Sequence, residues 1–569
     1  MIIALFGLLT KTRTHPAFLF AAALFVFFLA GTITAGELLA QFINPALVTL
    51  VLVMQAAAVI EKTSITDWMS RLILVGHSLP RTLARLSLGI FPLSAFLNNT
   101  AVVASFLGPL RNNRHFPPSK LLLPLSYAAI LGGTVTLIGT STNLVVNGLA
   151  LEAGMKGIGI FQFACIGVPI CIAGFFYITF FSHRLLPANE VAPKVERTEY
   201  FLEARVLPGS AHIGRTVAEN KFRSLQSLFL AELIRDERLL SPVSPDEVIR
   251  AGDILVFVGD VHKVRDINRF DRLAIFTEEN IGLLKKNLRE VVLSHTSSLL
   301  GKKVKTADFR ARFDAAVVAV RRGSKKLSGK IGSIRLEAGD TLLLAVGADF
   351  AKRENLRNDF FLINKVSLQN RFSRKDTALA AMLFVMAILA GALELLPLLN
   401  SLAILLFLYI LLGYFRFDDL RNNANLDIIV LVGSALGISK VMIDSGASVL
   451  IARGVLFFFQ GHGAFASLAG IYFLTLLLTQ MVTNNAAAAL AFPLAYSTAL
   501  SLHVAPLPFV MAVAYAASAA FITPHGYQTN LMVYGPGSYR FADYMRAGLP
   551  LLVIYSLVTL ALLPVFFKF

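Results

Sequence analysis

Asn98-Asn99-Thr100 separates the apolar runs LSLGIFPLSAFL and AVVASFLGPL, and Thr483-Asn484-Asn485 separates LTLLLTQMV from AAAALAFPLA. Amides and hydroxyls inside hydrocarbon are costly unless they bind something or each other, so the two triplets read as one site motif present twice. About forty residues after each triplet comes a second polar break: Gly139-Thr140-Ser141-Thr142-Asn143 in one half and Gly526-Tyr527-Gln528-Thr529-Asn530 in the other. The offset from Gly to Asn is the same in both. Gly132-Gly133 and Pro524 supply helix-breaking chemistry beside them. Broken helices expose carbonyls that can ligate a hard cation such as Na+, and opposed helix N-termini offer N–H groups and positive dipole ends to an anion. No Asp, Glu, Lys or Arg lies in the arms flanking the triplets or in the Gly-to-Asn segments. A proton antiporter is expected to place a carboxylate there. Neutral oxygens that gather Na+ create a positive pocket instead, which favours cation-coupled anion symport.

Elements able to hold such motifs must lie in a membrane. The chain has 569 residues, is 56% hydrophobic and 15% charged, and has a mean hydropathy of +0.68. This composition belongs to a polytopic α-helical membrane protein. The net charge of +17 comes mostly from Lys and Arg between about 190 and 375, and reads as a cationic cytoplasmic segment near anionic lipid. Nucleic acid is not expected as a partner. Cys165 and Cys171 imply neither a disulfide framework nor a metal site, and no removable signal peptide is expected at the N-terminus.

Spanning segments are predicted near 2–10, 17–34, 45–60, 121–150, 159–182, 378–400, 402–415, 427–443, 505–534 and 548–567. A span needs about 20 apolar residues. The runs Leu86–Leu97 and Ala101–Leu110, and Leu468–Val482 and Ala486–Ala495, are shorter, so each triplet is predicted at the tip of a re-entrant hairpin. Amphipathic stretches carrying Arg71 and Arg453 precede the hairpins and are placed on the membrane surface. Arg81, Arg85, Arg111, Arg114 and Lys120 suggest that the first hairpin enters from the cytoplasm. Counting crossings puts the second hairpin on the outer side, which makes the halves, 1–186 and 376–569, inverted repeats. Glu61, Glu394, Asp427 and Asp444 sit near span ends, facing water or paired. His525 reads as a hydrogen-bonded structural histidine or a titratable substrate contact.

The charged insertion is itself duplicated. AGDILVFVG at 251–259 recurs as AGDTLLLAVG at 338–347, and the residues of AELIRDE at 231–237 recur as VAVRRG at 318–323 with the same spacing (340 − 253 = 87). Each copy, 190–275 and 280–365, reads as a small α+β domain.

The paired Asn-Thr triplets, GTSTN, GYQTN and the inverted hairpins resemble the divalent anion–sodium symporter family, in its sulfate-permease-like branch. The insertion resembles the C-terminal domain of regulator-of-potassium-conductance (RCK) proteins, which suggests a small regulatory ligand on residues 190–375. The family signature is Ser-Asn-Thr, which this chain alters in both triplets. The resemblance implies one sodium site from Ser94, Asn98, Asn99 and Gly139, and a second from Thr479, Val482, Asn484 and Gly526. It implies substrate contacts from Asn99, Thr100, Thr142, Asn484, Asn485 and Thr529. It also implies a homodimer in a bacterial cell membrane that moves a transport domain carrying both hairpins.

The expected function is sodium-coupled symport of a small divalent anion, sulfate first and dicarboxylate second. Na+ is the coupling ion and no cofactor is expected. A ligand-regulated ion channel and a membrane sensor are the alternatives from other classes. No nucleophile–base pair or metal-ligand cluster suggests an enzyme.

Overall fold

The computed structural model describes residues 4–5, 7–8, 16–63, 69, 73, 78–113, 115–189, 201–222, 228–235, 238–240, 242–259, 273–276, 288–295, 297–327, 331–347, 349–353, 356–362, 372–416, 419–420, 426–450 and 463–569. Arg71, Arg114 and Arg453, and most of the predicted segment 2–10, lie outside these residues.

Before the insertion the chain forms α1 (Pro16–Leu29), α2 (Ala35–Phe42), α3 (Pro45–Glu61), α4 (Leu79–Phe96), α5 (Asn99–Arg111), α6 (Leu122–Gly133), α7 (Ser141–Glu152) and α8 (Ala164–Phe176). After it come α9 (Arg374–Ala392), α10 (Leu398–Leu411), α11 (Leu426–Asp444), α12 (Gly463–Met481), α13 (Asn484–Ser501), α14 (Leu507–Ser518), α15 (Gln528–Tyr534) and α16 (Phe541–Phe566). Among the described residues 6 helical segments are long and apolar enough to cross a bilayer. Local chemistry sets several of the ends. Asn44 caps α3 ahead of Pro45, and the Ser373 hydroxyl accepts from Asp376 N at the start of α9.

Two expectations change here. The segments predicted as single spans, 121–150 and 505–534, are each two helices, α6 with α7 and α14 with α15, joined by non-helical chain. The Gly132-Gly133 end of α6 and Pro524 are the breaking chemistry already visible in the sequence. The arms around the triplets are also longer than the apolar runs. α12 starts at Gly463 rather than Leu468, because Gly463-Ala-Phe-Ala-Ser467 continues the helix without a charge, and at 19 residues it is itself long enough to cross a bilayer.

The half-helices α6 and α14 are the centre of the membrane part. Every residue of α6 is buried, and so is every residue of α14 except its first, so neither has a lipid face. They hold the broken segments in fixed positions. The Tyr127 hydroxyl of α6 donates to Phe521 O beyond α14, and the Tyr515 hydroxyl of α14 donates to Phe163 O.

The insertion folds as two antiparallel five-stranded sheets. The first has the order β3-β2-β4-β1-β5, with β1 Phe201–Val206, β2 Leu228–Arg235, β3 Arg238–Leu240, β4 Ile254–Gly259 and β5 Leu273–Phe276. The second, with β6 Leu288–Leu293, β7 Ala315–Arg322, β8 Lys325–Leu327, β9 Thr341–Val346 and β10 Phe360–Leu362, has the order β10-β6-β9-β7-β8, the same arrangement read from the other edge. Even the register shift recurs, between Leu230 and Glu232 and between Val317 and Ala319. In each copy an arginine at the end of one strand grips the buried aspartate of the Gly-Asp turn. Arg235 donates to both carboxylate oxygens of Asp253 at 2.8 Å, and Arg322 to those of Asp340 at 2.7 and 2.8 Å. The paired carboxylate holds each guanidinium above its ordinary value. With Asp340 0% exposed, Asp340→Asn is expected to destabilise the full-length protein by about 1–3 kcal/mol, because it removes the buried carboxylate that takes two bonds from Arg322 and leaves that guanidinium, among the described residues, only its half-exposed ion pair with Glu337 at 2.9 Å. Thermal unfolding in detergent, followed by proteolysis of the insertion, measures this.

Candidate functional site

The four polar motifs meet at one cavity of about 270 Å3. α5, α7, α13 and α15 all begin there, at Asn99, Ser141, Asn484 and Gln528. Asn98 caps α5 by accepting from Thr100 N at 2.9 Å. Thr140, Thr483 and Tyr527 make no side-chain cap, so the first-turn N–H groups of α7, α13 and α15 point toward the cavity unsatisfied by a cap. The opposite wall is apolar: Leu50, Val53, Met54 and Ala57 of α3, and Ile428 of α11. Among the described residues the lining holds no Asp, Glu, Lys or Arg, and two histidines, His295 and His525.

The halves repeat the same bonds. Ser94 Oγ donates to Ala129 O at 2.8 Å, and Thr479 Oγ to Ala517 O at 2.6 Å. Gly139 N donates to Thr136 Oγ at 3.1 Å, and Gly526 N to Thr523 Oγ at 3.0 Å. Asn143 Nδ2 donates to Thr136 O and Asn530 Nδ2 to Thr523 O, at 2.9 and 3.1 Å. These bonds close each Gly-to-Asn loop on itself. Gly139 is confined by backbone: a Cβ there would lie 2.6 Å from Gly133 O, 2.9 Å from Ala95 O and 3.0 Å from Ser94 O.

Bonds between the halves tie the triplets in place. The third residue of each triplet meets the residue two beyond the glycine of the opposite half: Thr100 Oγ donates to Gln528 Oε1 at 3.0 Å, and Asn485 Oδ1 accepts from Ser141 Oγ at 3.2 Å. Asn485 Oδ1 also accepts from Thr142 Oγ at 3.1 Å. Because Ser94 Oγ uses its single proton on Ala129 O, the Asn99 amide is satisfied with its nitrogen donating to Ser94 Oγ (2.6 Å) and Gly139 O (3.2 Å) and its oxygen accepting from the Tyr527 hydroxyl (2.7 Å). Asn484 is the exception, since its Nδ2 is buried without a hydrogen-bond partner among the described residues.

Of the residues predicted for the first cation site, the structure therefore brings Ser94, Asn99 and Gly139 within hydrogen-bond reach of one another, while the Asn98 side chain caps its own helix. Of the second set, Asn484 and Gly526 line the cavity, and Thr479 and Val482 are buried outside its lining. Of the substrate set, Asn99, Thr100, Thr142, Asn484 and Asn485 line it. Thr529 does not: its hydroxyl accepts from Ser126 Oγ at 2.8 Å, holding α15 against α6. Thr136, Thr523, Tyr527, Gln528 and His295 were not among the sequence candidates. The first two were legible, as a threonine three residues before the glycine in both TLIGTSTN and TPHGYQTN.

Residues 2–513 match the family described as citrate transporter. The chain belongs to the citrate transporter family. Over 97% of its length, and 98% of the relative's, it is 33% identical to a Chlamydomonas reinhardtii protein with the provisional name of sulfur deprivation response regulator. It is 34% identical to an uncharacterized transporter of Synechocystis sp., over 93% of this chain and 90% of that one. It is 24% identical to sodium/sulfate cotransporter 1 of Chlamydomonas reinhardtii, over 92% of this chain and 84% of the relative. This member of the family is thus a polytopic α-helical membrane protein and a transporter rather than an enzyme, and its candidate site is a neutral cavity among helix N-termini.

Proposed function

We propose that this protein is a sodium-coupled symporter of a small divalent anion, with sulfate favoured over a dicarboxylate such as succinate. The observation that carries the reading is the convergence of α5, α7 and α13, helices of 13, 12 and 18 residues, with their N-termini on one cavity that lacks acidic side chains among the described residues. Positive dipole ends, together with the uncapped first-turn N–H groups of α7 and α13, favour an anion and repel a cation at the same spot. Sodium enters beside it, at the carbonyl-lined turns. Ser94, Asn98, Asn99 and Gly139 form one Na+ site; Thr479, Val482, Asn484 and Gly526 form the other. Each bound Na+ adds positive charge and strengthens anion binding, which is the coupling. Asn99, Thr100, Thr142, Asn484 and Asn485 contact the anion, and Thr529 acts indirectly by positioning α15. The names of the sodium/sulfate cotransporter relatives support sodium and sulfate; the family description supports a carboxylate as the runner-up.

The two triplet-bearing helix pairs are re-entrant hairpins of inverted repeats. They move with α6, α7, α14 and α15 as one body past the apolar wall of α3 and α11, in a homodimer, with the insertion as an RCK-like regulatory pair in the cytoplasm. Binding of labelled sulfate to purified protein is expected only with Na+ present, and Asn484→Ala is expected to weaken it about 10- to 100-fold through loss of one or two buried anion contacts. Sulfate binding of equal strength in potassium would defeat the coupling claim. A sensing role is a second reading, favoured by the name of the sulfur-deprivation relative; it requires the same sodium-dependent binding with no flux.

A further inference from the structure

The cavity is not closed by membrane helices alone. His295 and Ala338, both from the second sheet unit (288–362), are part of its lining. His295 Nε2 lies 2.8 Å from Gln528 Nε2, and Gln528 in turn accepts from Thr100, so the loop after β6 is linked directly to the tip of the first triplet. Around this contact the unit is seated along the whole of α15. Gly339, at φ +82, packs so closely that a Cβ would lie 2.6 Å from Leu531 Cδ1, and on the other side a Cβ on Gly535 would lie 2.1 Å from Thr341 Oγ. Arg111, the last residue of α5, forms a two-pronged ion pair with Glu290 of β6, its second bond at 2.6 Å. Arg321 Nη1 donates to Ser538 Oγ at 3.3 Å.

The first sheet unit is an internal control, because it has the same fold. The residue equivalent to Gly339 is Gly252, and among the described residues nothing lies within 4 Å of where its Cβ would be. At the positions of His295 and Arg321 the first copy has Pro208 and Ile234. Duplication preserved the sheet, its Arg–Asp grip and the carboxylate of Glu290, which is Glu203 in the first copy, but not His295 or Arg321, two polar residues through which the second copy reaches the membrane part.

We propose that the second sheet unit is a gate for the transport cavity, which must withdraw from α15 before the anion can leave or enter on that side. This rests on the transport reading above. The ion pair at Arg111 and the close seating at Gly339 hold the gate shut, and His295 fills the mouth.

The test reads access to the cavity without requiring transport. Ser141→Cys, on a full-length background with Cys165 and Cys171 replaced by alanine, is labelled in vesicles with a membrane-impermeant thiol reagent applied from the side bearing the sheets. Adding Glu290→Arg or Gly339→Leu is expected to raise the labelling rate about tenfold or more by shifting the gate toward its open state. Combining Arg111→Glu with Glu290→Arg is expected to restore slow labelling, which also shows that the variants fold. A labelling rate that stays unchanged or falls in both loosened variants overturns the gate. Faster labelling, with no sulfate uptake by the protein that keeps Ser141, keeps the gate and removes the transport reading; uptake by that protein with unchanged labelling does the reverse.

Discussion

Asn99→Ala is expected to reduce sodium-driven anion uptake about 100-fold or more while leaving the protein folded. The amide touches Ser94 Oγ, Gly139 O and the Tyr527 hydroxyl, and so links the first triplet to the Gly-to-Asn loop of its own half and to that of the other half. Removing it takes a bond from each of these three buried groups, although Ser94 Oγ keeps Ala129 O and the Tyr527 hydroxyl keeps Thr140 Oγ. A lost hydrogen bond costs about 0.5–1.5 kcal/mol and a carbonyl left unpaired about 1–3 kcal/mol, and 1.4 kcal/mol is a factor of ten. The loss falls on the arrangement that positions ion and anion rather than on a helix core, so size-exclusion behaviour should stay normal while uptake collapses. Asn99→Asp tests the same position differently. It keeps the shape but places a carboxylate in a cavity that lacks one, and should repel the anion while tolerating Na+. Uptake near that of the natural protein in Asn99→Ala would remove Asn99 from the site.

Gly139→Ala should be at least as damaging, for a steric reason. Its Cβ would meet the carbonyl oxygens of Gly133, Ala95 and Ser94 at 2.6, 2.9 and 3.0 Å, all of them backbone and none able to rotate away. Forced overpacking costs about 1–3 kcal/mol, and a displacement of order 1 Å in a positioning loop can cost about 100-fold in rate. The symmetric Gly526→Ala would meet Thr523 Oγ at 2.5 Å, Ala520 Cβ at 3.1 Å and Gln480 Oε1 at 3.4 Å. All three are side-chain atoms, and the Thr523 hydroxyl can turn at the loss of its bond to Gly526 N. The milder result is therefore expected at Gly526, and uptake by the two variants at matched expression measures the difference. Equal, small effects at both glycines would mean that neither loop shapes an ion site.

The polar triplets and the Gly-to-Asn breaks stand out in sequence because each interrupts a run of hydrocarbon side chains. That signal is local. The breaks within 121–150 and 505–534 were equally local, at Gly132-Gly133 and Pro524, but the length of apolar sequence there reads as an unbroken span. An unbroken apolar run around the second triplet begins only at Leu468, whereas Gly463, Ala464 and Ala466, small and uncharged, let the helix start a turn earlier. The bonds of Asn99 to Tyr527 and of Thr100 to Gln528 join residues 428 apart, and no periodicity reports a partner at that distance. His295 is the extreme case. It lies in the insertion, between strands of a sheet, and only the seating of that sheet on α15 makes it a wall of the cavity. The sheets themselves were legible as a duplication because Arg and Asp recur at a constant spacing, and the same spacing places Gly252 opposite Gly339 with very different surroundings.

The most direct test of sodium-coupled anion symport is uptake of labelled sulfate into proteoliposomes containing the purified full-length protein under an inward Na+ gradient. The account predicts saturable accumulation above equilibrium, lost when Na+ is replaced by K+ or choline, and outcompeted by unlabelled sulfate more effectively than by succinate or citrate. Sulfate flux that is indifferent to the sodium gradient, or sodium-driven uptake that ignores sulfate and follows citrate or succinate alone, would contradict it.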